Sequence, residues 1–219
     1  MKKKKNVSKL DILTLYMDLV VSQKTRPIDV DDFCNEVNIK SDNFYKHLKS
    51  LKKVEKTVFK ELFKNSLEVL NESEEFASFD KKNQLLSLYF TFFENLNLNR
   101  EYILIVLKGC KNKLKSFSTL SDLKKNYIQY IQHLNLSESI LPIDGLEKVQ
   151  KKIIGESAWF QLFLTIKFWL DDTSESFEKT DILIEKSINT SFELLENKFL
   201  KNAFDLSKFI YKEKFQKKQ

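Results

Sequence analysis

The sequence predicts an all-α protein, and three observations carry that expectation. Only 3 Gly and 2 Pro interrupt 219 residues, so the many tight turns of an all-β fold lack their usual residues. Hydrophobic residues make up 42% of the chain, enough for a sizeable globular core. Through most of the length these residues recur at spacings of three and four, the period of an amphipathic helix. The expected organisation is a three-helix N-terminal domain over residues 1–50, a connecting helix over 51–70, and a larger helical domain over 71–219.

The elements follow in order. From Ser8 to about Gln23, Leu10, Leu13, Met17 and Val20 form one apolar stripe. "KTRPI" ends that helix, because Pro27 cannot continue it and drives Arg26 extended. Asp29 is placed to cap a short helix, "VDDFCNEV", that buries Val30, Phe33, Cys34 and Val37. Asn38 comes next; asparagine tolerates the left-handed conformation and can turn the chain sharply. Ser41 is expected to cap a third helix to about Leu48, with Phe44 and Leu48 facing inward. A fourth runs from near Ser50 to about Leu70, with Val54, Val58, Leu62 and Leu67 on one face. Asp80 caps the next, reaching Leu96 with Leu85, Leu88, Tyr89 and Phe92 in its stripe, and Asn99 caps another to about Lys111. "SFSTLSD" reads as a connection, Leu120 to His133 as a helix, and "LNLSESILPIDG" as a loop. A long apolar helix spans about 146–170, "DDTSES" interrupts it, and a further helix runs from about 177 to 200. A short basic helix over 203–215 closes the chain.

The charge is unevenly placed. The net charge is +6, and residues 1–65 hold 15 Lys/Arg against 9 Asp/Glu, whereas 66–219 hold 22 of each. Lys2 to Lys5 supply four of those cations. A basic segment joined to a neutral one implies an anionic partner for the first part only. Cys34 and Cys110, the only cysteines, form no C-x-x-C, so neither a disulfide framework nor a zinc site is expected and a reducing cytoplasm is the simplest setting. "MKKKKN" is followed by "LDILTLYMDLVV", whose Asp11 and Asp18 do not suit a signal peptide. The most apolar run, "AWFQLFLTIKFWL", is broken by Gln161 and Lys167 and falls short of the roughly 18 uncharged residues a membrane span needs. His47 and His133 have no partners at metal-ligand spacing. Gly109, Gly145 and Gly155 make no phosphate loop. Asp171 and Asp172 read as the start of a following helix rather than an acid/base pair. Neither an enzyme nor a cofactor is expected.

Helix, Asn turn and helix over residues 30–48 make a helix-turn-helix, whose second helix enters the major groove of DNA. The candidate DNA contacts are Lys40, Ser41, Asn43, Tyr45, Lys46, His47, Lys49, Lys52 and Lys53. Asn43, Lys46 and His47 share one broad face, Tyr45 can extend its hydroxyl to a phosphate, and Lys49, Lys52 and Lys53 lie where a duplex backbone would pass. At these residues the chain resembles the tetracycline-repressor family, whose recognition region reads T-x-Y-x-H-F and then K-E-x-L. The equivalents are Val37-Asn38-Ile39, Phe44-Tyr45-Lys46-His47-Leu48 and Leu51-Lys52-Lys53-Val54. Asn38 stands at the turn glycine, Leu48 at the usual Phe and Leu51 at a frequent Lys, and Asp42 adds a carboxylate near the groove.

"FWLDDTSESFEKTDILIEKSIN", residues 168–189, resembles the C-terminal region of a branch of the same family. It is also weakly similar to the mitochondrial lipid-binding protein of ubiquinone biosynthesis. The resemblance implies double-stranded DNA as partner, and a homodimer paired through about 146–170 and 177–198. It further implies a repressor released by a small apolar or lipid-like effector, held among Tyr89, Phe93, Tyr127, Trp159, Phe163 and Phe168. The alternative is a lipid-binding accessory protein that keeps the fold without specific DNA binding, and Asp42 and Leu51 speak for it. The basic C-terminal helix is expected to dock on the body with its lysines in solvent rather than lie on a membrane.

Overall fold

The computed structural model describes residues 7–108, 117–136 and 147–196, and the isolated positions 206, 209 and 213. The tail lysines Lys2 to Lys5, Cys110, the loop beyond Leu136 and nearly all of the 203–215 helix lie outside the described residues. Among the described residues every regular element is helical, so the expected all-α class holds. The helices are α1 (Lys9–Gln23), α2 (Val30–Glu36), α3 (Ser41–His47), α4 (Leu51–Asn71), α5 (Glu74–Ser78), α6 (Lys81–Leu98), α7 (Arg100–Lys108), α8 (Ser121–Leu134), α9 (Glu147–Asp171) and α10 (Glu178–Glu196). Short 3₁₀ turns at Ser118–Leu120 and Glu175–Phe177 lead into α8 and α10. The chain forms two compact units, Met1–Val69 with Thr91–Asn126, and Leu70–Phe90 with Tyr127–Gln219.

In the first unit, Ser8 opens α1 with a reciprocal capping box to Asp11. The buried face of α1 is Ile12, Leu13, Tyr16 and Val20. The expected stripe is thus rotated: Leu10 is 62% exposed, and Tyr16 takes the inward place. The reason is polar as much as apolar. The Tyr16 hydroxyl donates to Glu55 Oε1 at 3.0 Å, and the Arg26 Nε lies 2.6 Å from the same oxygen. Arg26 also donates to the Val106 carbonyl near the end of α7. One buried carboxylate on α4 therefore gathers α1, the segment leading to α2, and α7. Burial first, then the Glu55 charge, pushes the Tyr16 hydroxyl far above its ordinary range, which keeps it a neutral donor. The core of this unit includes Phe33, Phe44, Val54, Val58, Phe59 and Phe63. Asn95 of α6 donates to the Leu62 carbonyl at 2.9 Å and ties the two helices.

In the second unit, Asp80 caps α6 by accepting from the Asn83 N–H at 2.7 Å, as its position in sequence suggests. The short α5 had no signal strong enough to place it. Gly155 lets α9 approach α8 closely: a Cβ there would meet Ile128 Cγ2 at 3.0 Å. α9 packs on α10, and Leu162, Ile166 and Trp169 of the one and Ile184 and Ile188 of the other are all buried. Asp172 is the corner piece between them. Its carboxylate accepts from Ser174 N and Oγ and from Thr180 N and Oγ1, at 2.9, 2.7, 2.9 and 2.6 Å. Burial pushes this carboxyl up, but the four hydrogen bonds prevail and hold it at about 2. The reading of "DDT" as the start of the following helix is correct, with Asp172 as the capping acid.

Candidate nucleic-acid interface

α2 starts at Asp29, whose side chain accepts from the Asp32 N–H at 2.8 Å. It ends in a left-handed turn: Asn38 has φ 56, and the Ile39 N–H reaches back to the Cys34 carbonyl at 2.9 Å. Ile39 then buries its side chain, the apolar contact that accompanies this kind of helix end. The residue before α3 is Lys40, which makes no side-chain cap, so Ser41 is the first helical residue rather than the cap. Its hydroxyl instead donates to Asp31 Oδ1 at 2.6 Å and fastens α3 to α2. Ser50 caps α4, accepting from the Lys53 N–H at 3.2 Å.

The expected contacts separate into two groups. Lys40, Tyr45, Lys46, His47, Lys49, Lys52 and Lys53 are exposed. Tyr45 is 54% exposed, and its ring stands edge-on to Phe44 at 5.5 Å, which fixes the direction of its hydroxyl. Asn43 does not belong to this face, being only 7% exposed. With Phe44 beside it in the core, Asn43 packs against the body of the motif. The 3.6-residue period alone groups Asn43 with Lys46 and His47; burial in the first turn of α3 takes it out of that face. Lys53 is not idle either, since its ammonium lies 2.6 Å from Asp122 Oδ2.

The second unit carries an apolar groove of about 650 Å³ between α9 and α10. Leu85 and Leu136 belong to its lining, together with Phe160, Leu164, Leu183 and Leu194. Gln161 supplies polarity: its Nε2 donates to Ser187 Oγ and its Oε1 accepts from Ser191 Oγ, each at 3.1 Å. The six aromatics expected around a ligand line none of it. Tyr89 and Tyr127 are buried and hydrogen-bonded to each other at 3.0 Å, and burial raises both hydroxyls far above their usual range. Phe93 packs against Phe92 in the first unit, with centroids 6.0 Å apart. Trp159 and Phe163 pair at 6.2 Å, and Phe168 is exposed. Tyr89, Phe93 and Tyr127 were spent on the core, and the groove combines Phe160 and several leucines with small side chains, Ser157, Ala158, Ser187 and Ser191.

A family model described as the tetracyclin repressor-like C-terminal domain matches residues 84–210, more than half of the chain. The chain belongs to the tetracyclin repressor-like family. No curated protein matches it, so the weak similarity to the ubiquinone-biosynthesis protein is not shown. The family match covers the region opposite to the helix-turn-helix, so the two halves of the resemblance rest on separate residues.

Two features of this tetracyclin repressor-like protein escaped sequence reading. Glu55 stands among the lysines of an amphipathic helix, with no local signal of burial, and is the buried anchor of the first unit. Asp122 is a first-turn acid of α8, and nothing local announces a partner 69 residues away. Among the described residues no group of three or more His, Cys, Asp or Glu could hold a metal ion, and no helix is long and apolar enough to cross a membrane.

Proposed function

We propose that this tetracyclin repressor-like protein is a homodimeric, cytoplasmic DNA-binding transcriptional repressor that a small apolar effector releases from its site. The observation that carries the reading is the α2–Asn38–α3 motif with Tyr45, Lys46, Lys49 and Lys52 on its exposed side, in the segment that holds the whole positive excess. Phosphates are met by the lysines and Tyr45, and His47 is the exposed side chain best placed to read a base edge.

Pairing is supported by an apolar stripe on the outer side of α9. Val149, Ile153, Phe160, Leu164 and Phe168 are all exposed, and their spacing keeps them within about a quarter-turn of one another on a helix. On α10, Leu194 is exposed too and lines the same groove as Phe160 and Leu164. A contiguous exposed apolar patch marks an interaction surface. One helix-turn-helix makes few contacts, so a two-fold pair reading a near-palindrome is the natural arrangement. The groove opens on the same stripe through Phe160 and Leu164. A second copy would roof it, and an enclosed apolar site with Gln161, Ser187 and Ser191 as polar anchors suits a fatty or aromatic molecule. Such a molecule releases DNA to the extent that it prefers the arrangement unable to span two half-sites.

Selection of bound sequences from random duplex DNA tests the first half. An enriched near-palindrome supports it; no enrichment, with no binding at low salt, refutes it. Native mass spectrometry of the dimer purified from cells tests the second, with a co-purifying apolar molecule expected.

A further inference from the structure

The lysines on the exposed side of the motif are not equivalent. Among the described residues Lys49 and Lys52 have no carboxylate partner, whereas Lys53 Nζ is held 2.6 Å from Asp122 Oδ2. Lys53 is in the first turn of α4 and Asp122 in the first turn of α8. Both side chains keep some exposure, so a phosphate can reach the ammonium without rearrangement of either helix. An acid in a first turn is also favoured by the helix dipole. Asp122 therefore has a second source of stabilisation, and letting Lys53 go costs it little.

We infer that Asp122 is an intramolecular competitor for Lys53, a positioning residue that weakens the grip of α4 on the DNA backbone. The inference rests on the DNA-binding reading above. In free protein Lys53 pairs with Asp122, and on DNA it exchanges that carboxylate for a phosphate. The exchange swaps one ion pair for another, so Lys53 adds little net affinity. It also adds little salt dependence. The phosphate releases a condensed cation when Lys53 arrives. The bared Asp122 then takes one up, so the net release is close to zero. Asp122 thereby keeps affinity for arbitrary DNA low and leaves discrimination to α3.

The test uses full-length protein and a fluorescently labelled duplex of random sequence, because phosphate contacts do not depend on operator identity. Anisotropy titrations run from about 50 to about 200 mM KCl, where such contacts change affinity strongly. Asp122→Asn is expected to bind about threefold tighter at the lowest salt, the scale of an exposed ion pair. Its log–log salt slope should steepen by about one per bound protomer. Lys53→Ala alone should change little, and in the Asp122→Asn background it should remove both gains. Circular dichroism confirms folding, and Asp122→Ser, which keeps a first-turn hydrogen-bonding group, decides the matter if Asp122→Asn is impaired. An unchanged affinity and slope in the Asp122 variants overturns the inference while leaving DNA binding intact. A gain that survives Lys53→Ala also overturns it, because it marks a general field effect. Absence of wild-type binding at the lowest salt brings down the DNA-binding reading and this inference with it.

Discussion

Leu164→Glu should split the proposed dimer without unfolding the protomer. Leu164 is 45% exposed and its neighbour on the stripe, Phe160, is 60% exposed. Full burial of such a side chain stabilises by about 1.5–3 kcal/mol. With roughly half of each left to cover, each contributes about 1 kcal/mol, and two-fold symmetry counts each twice. Replacing Leu164 therefore removes about 2 kcal/mol of association, and forcing a carboxylate into the apolar seam adds at least as much again. A total of about 4 kcal/mol is about a thousandfold in Kd. Sedimentation velocity with fluorescence detection at about 0.1 µM should show a mostly dimeric wild type and a mostly monomeric variant, if the wild-type Kd is near nanomolar. Far-ultraviolet dichroism and the urea midpoint should be nearly unchanged, since the residue faces outward in the single chain. Ile188 offers the contrast. It falls within the 177–198 span expected to form the seam, but it is fully buried inside the protomer, so Ile188→Glu should unfold the chain rather than free it. A wild type that sediments as a monomer throughout, or a Leu164→Glu that remains dimeric, would refute the reasoning.

The remaining predictions concern each unit by itself. Tyr45→Phe and Lys46→Ala should weaken binding to all duplexes alike, with a shallower salt slope for Lys46→Ala, as read by anisotropy; Asn43→Ala, at a buried position, should lower stability without changing base preference. Glu55→Ala should cost about 3 kcal/mol in urea unfolding, because Arg26 and the Tyr16 hydroxyl both lose their carboxylate. Asp172→Ala should cost about 2 kcal/mol, as four donors lose one acceptor. Asp172 also predicts a pH dependence. Its carboxyl titrates at 3.8 when unfolded and at about 2 when folded. The stability it adds is therefore complete above the unfolded value and drains away as pH falls towards about 2. Acid unfolding followed by dichroism should show that component in wild type and not in Asp172→Asn.

The fold was largely legible because helix ends carry local chemistry. Ser8, Asp29, Ser50 and Asp80 all cap where they stand, and Asn38 turns left-handed where a turn was required. Helix faces were read less well. The α1 stripe was rotated by a tyrosine whose hydroxyl had a buried carboxylate to meet, and hydrophobicity alone ranks Tyr16 below Leu10. The exposed residues of α3 and the start of α4 were visible as a basic, turn-flanked segment. Yet the helical period groups Asn43 with Lys46 and His47, and its burial in the first turn of α3 is set by tertiary packing that the period does not encode. The groove was hidden for a different reason. Searching for large aromatics finds the core, whereas an opening needs small residues opposite large ones, as Ser187 and Ser191 stand near Phe160 and Leu164. Partners such as Asp122 are set by tertiary approach, and no local period encodes them.

A row of rings runs through the first unit. Tyr102 of α7 stands edge-on to Tyr16 of α1 at 6.3 Å, Tyr16 to Phe33 of α2 at 5.6 Å, Phe33 to Phe44 of α3 at 5.9 Å, and Phe44 to Tyr45 at 5.5 Å. Each contact crosses from one helix to the next until the last, which reaches solvent. Close-packed rings of this kind do not deform gradually. The four helices therefore behave as a single stamp whose printing surface cannot be re-cut from behind. On the proposed reading, a signal that changes what the stamp reads has to lift it, or set two stamps at the wrong separation. The surface of α3 would then arrive already finished, its specificity fixed when the first unit folds.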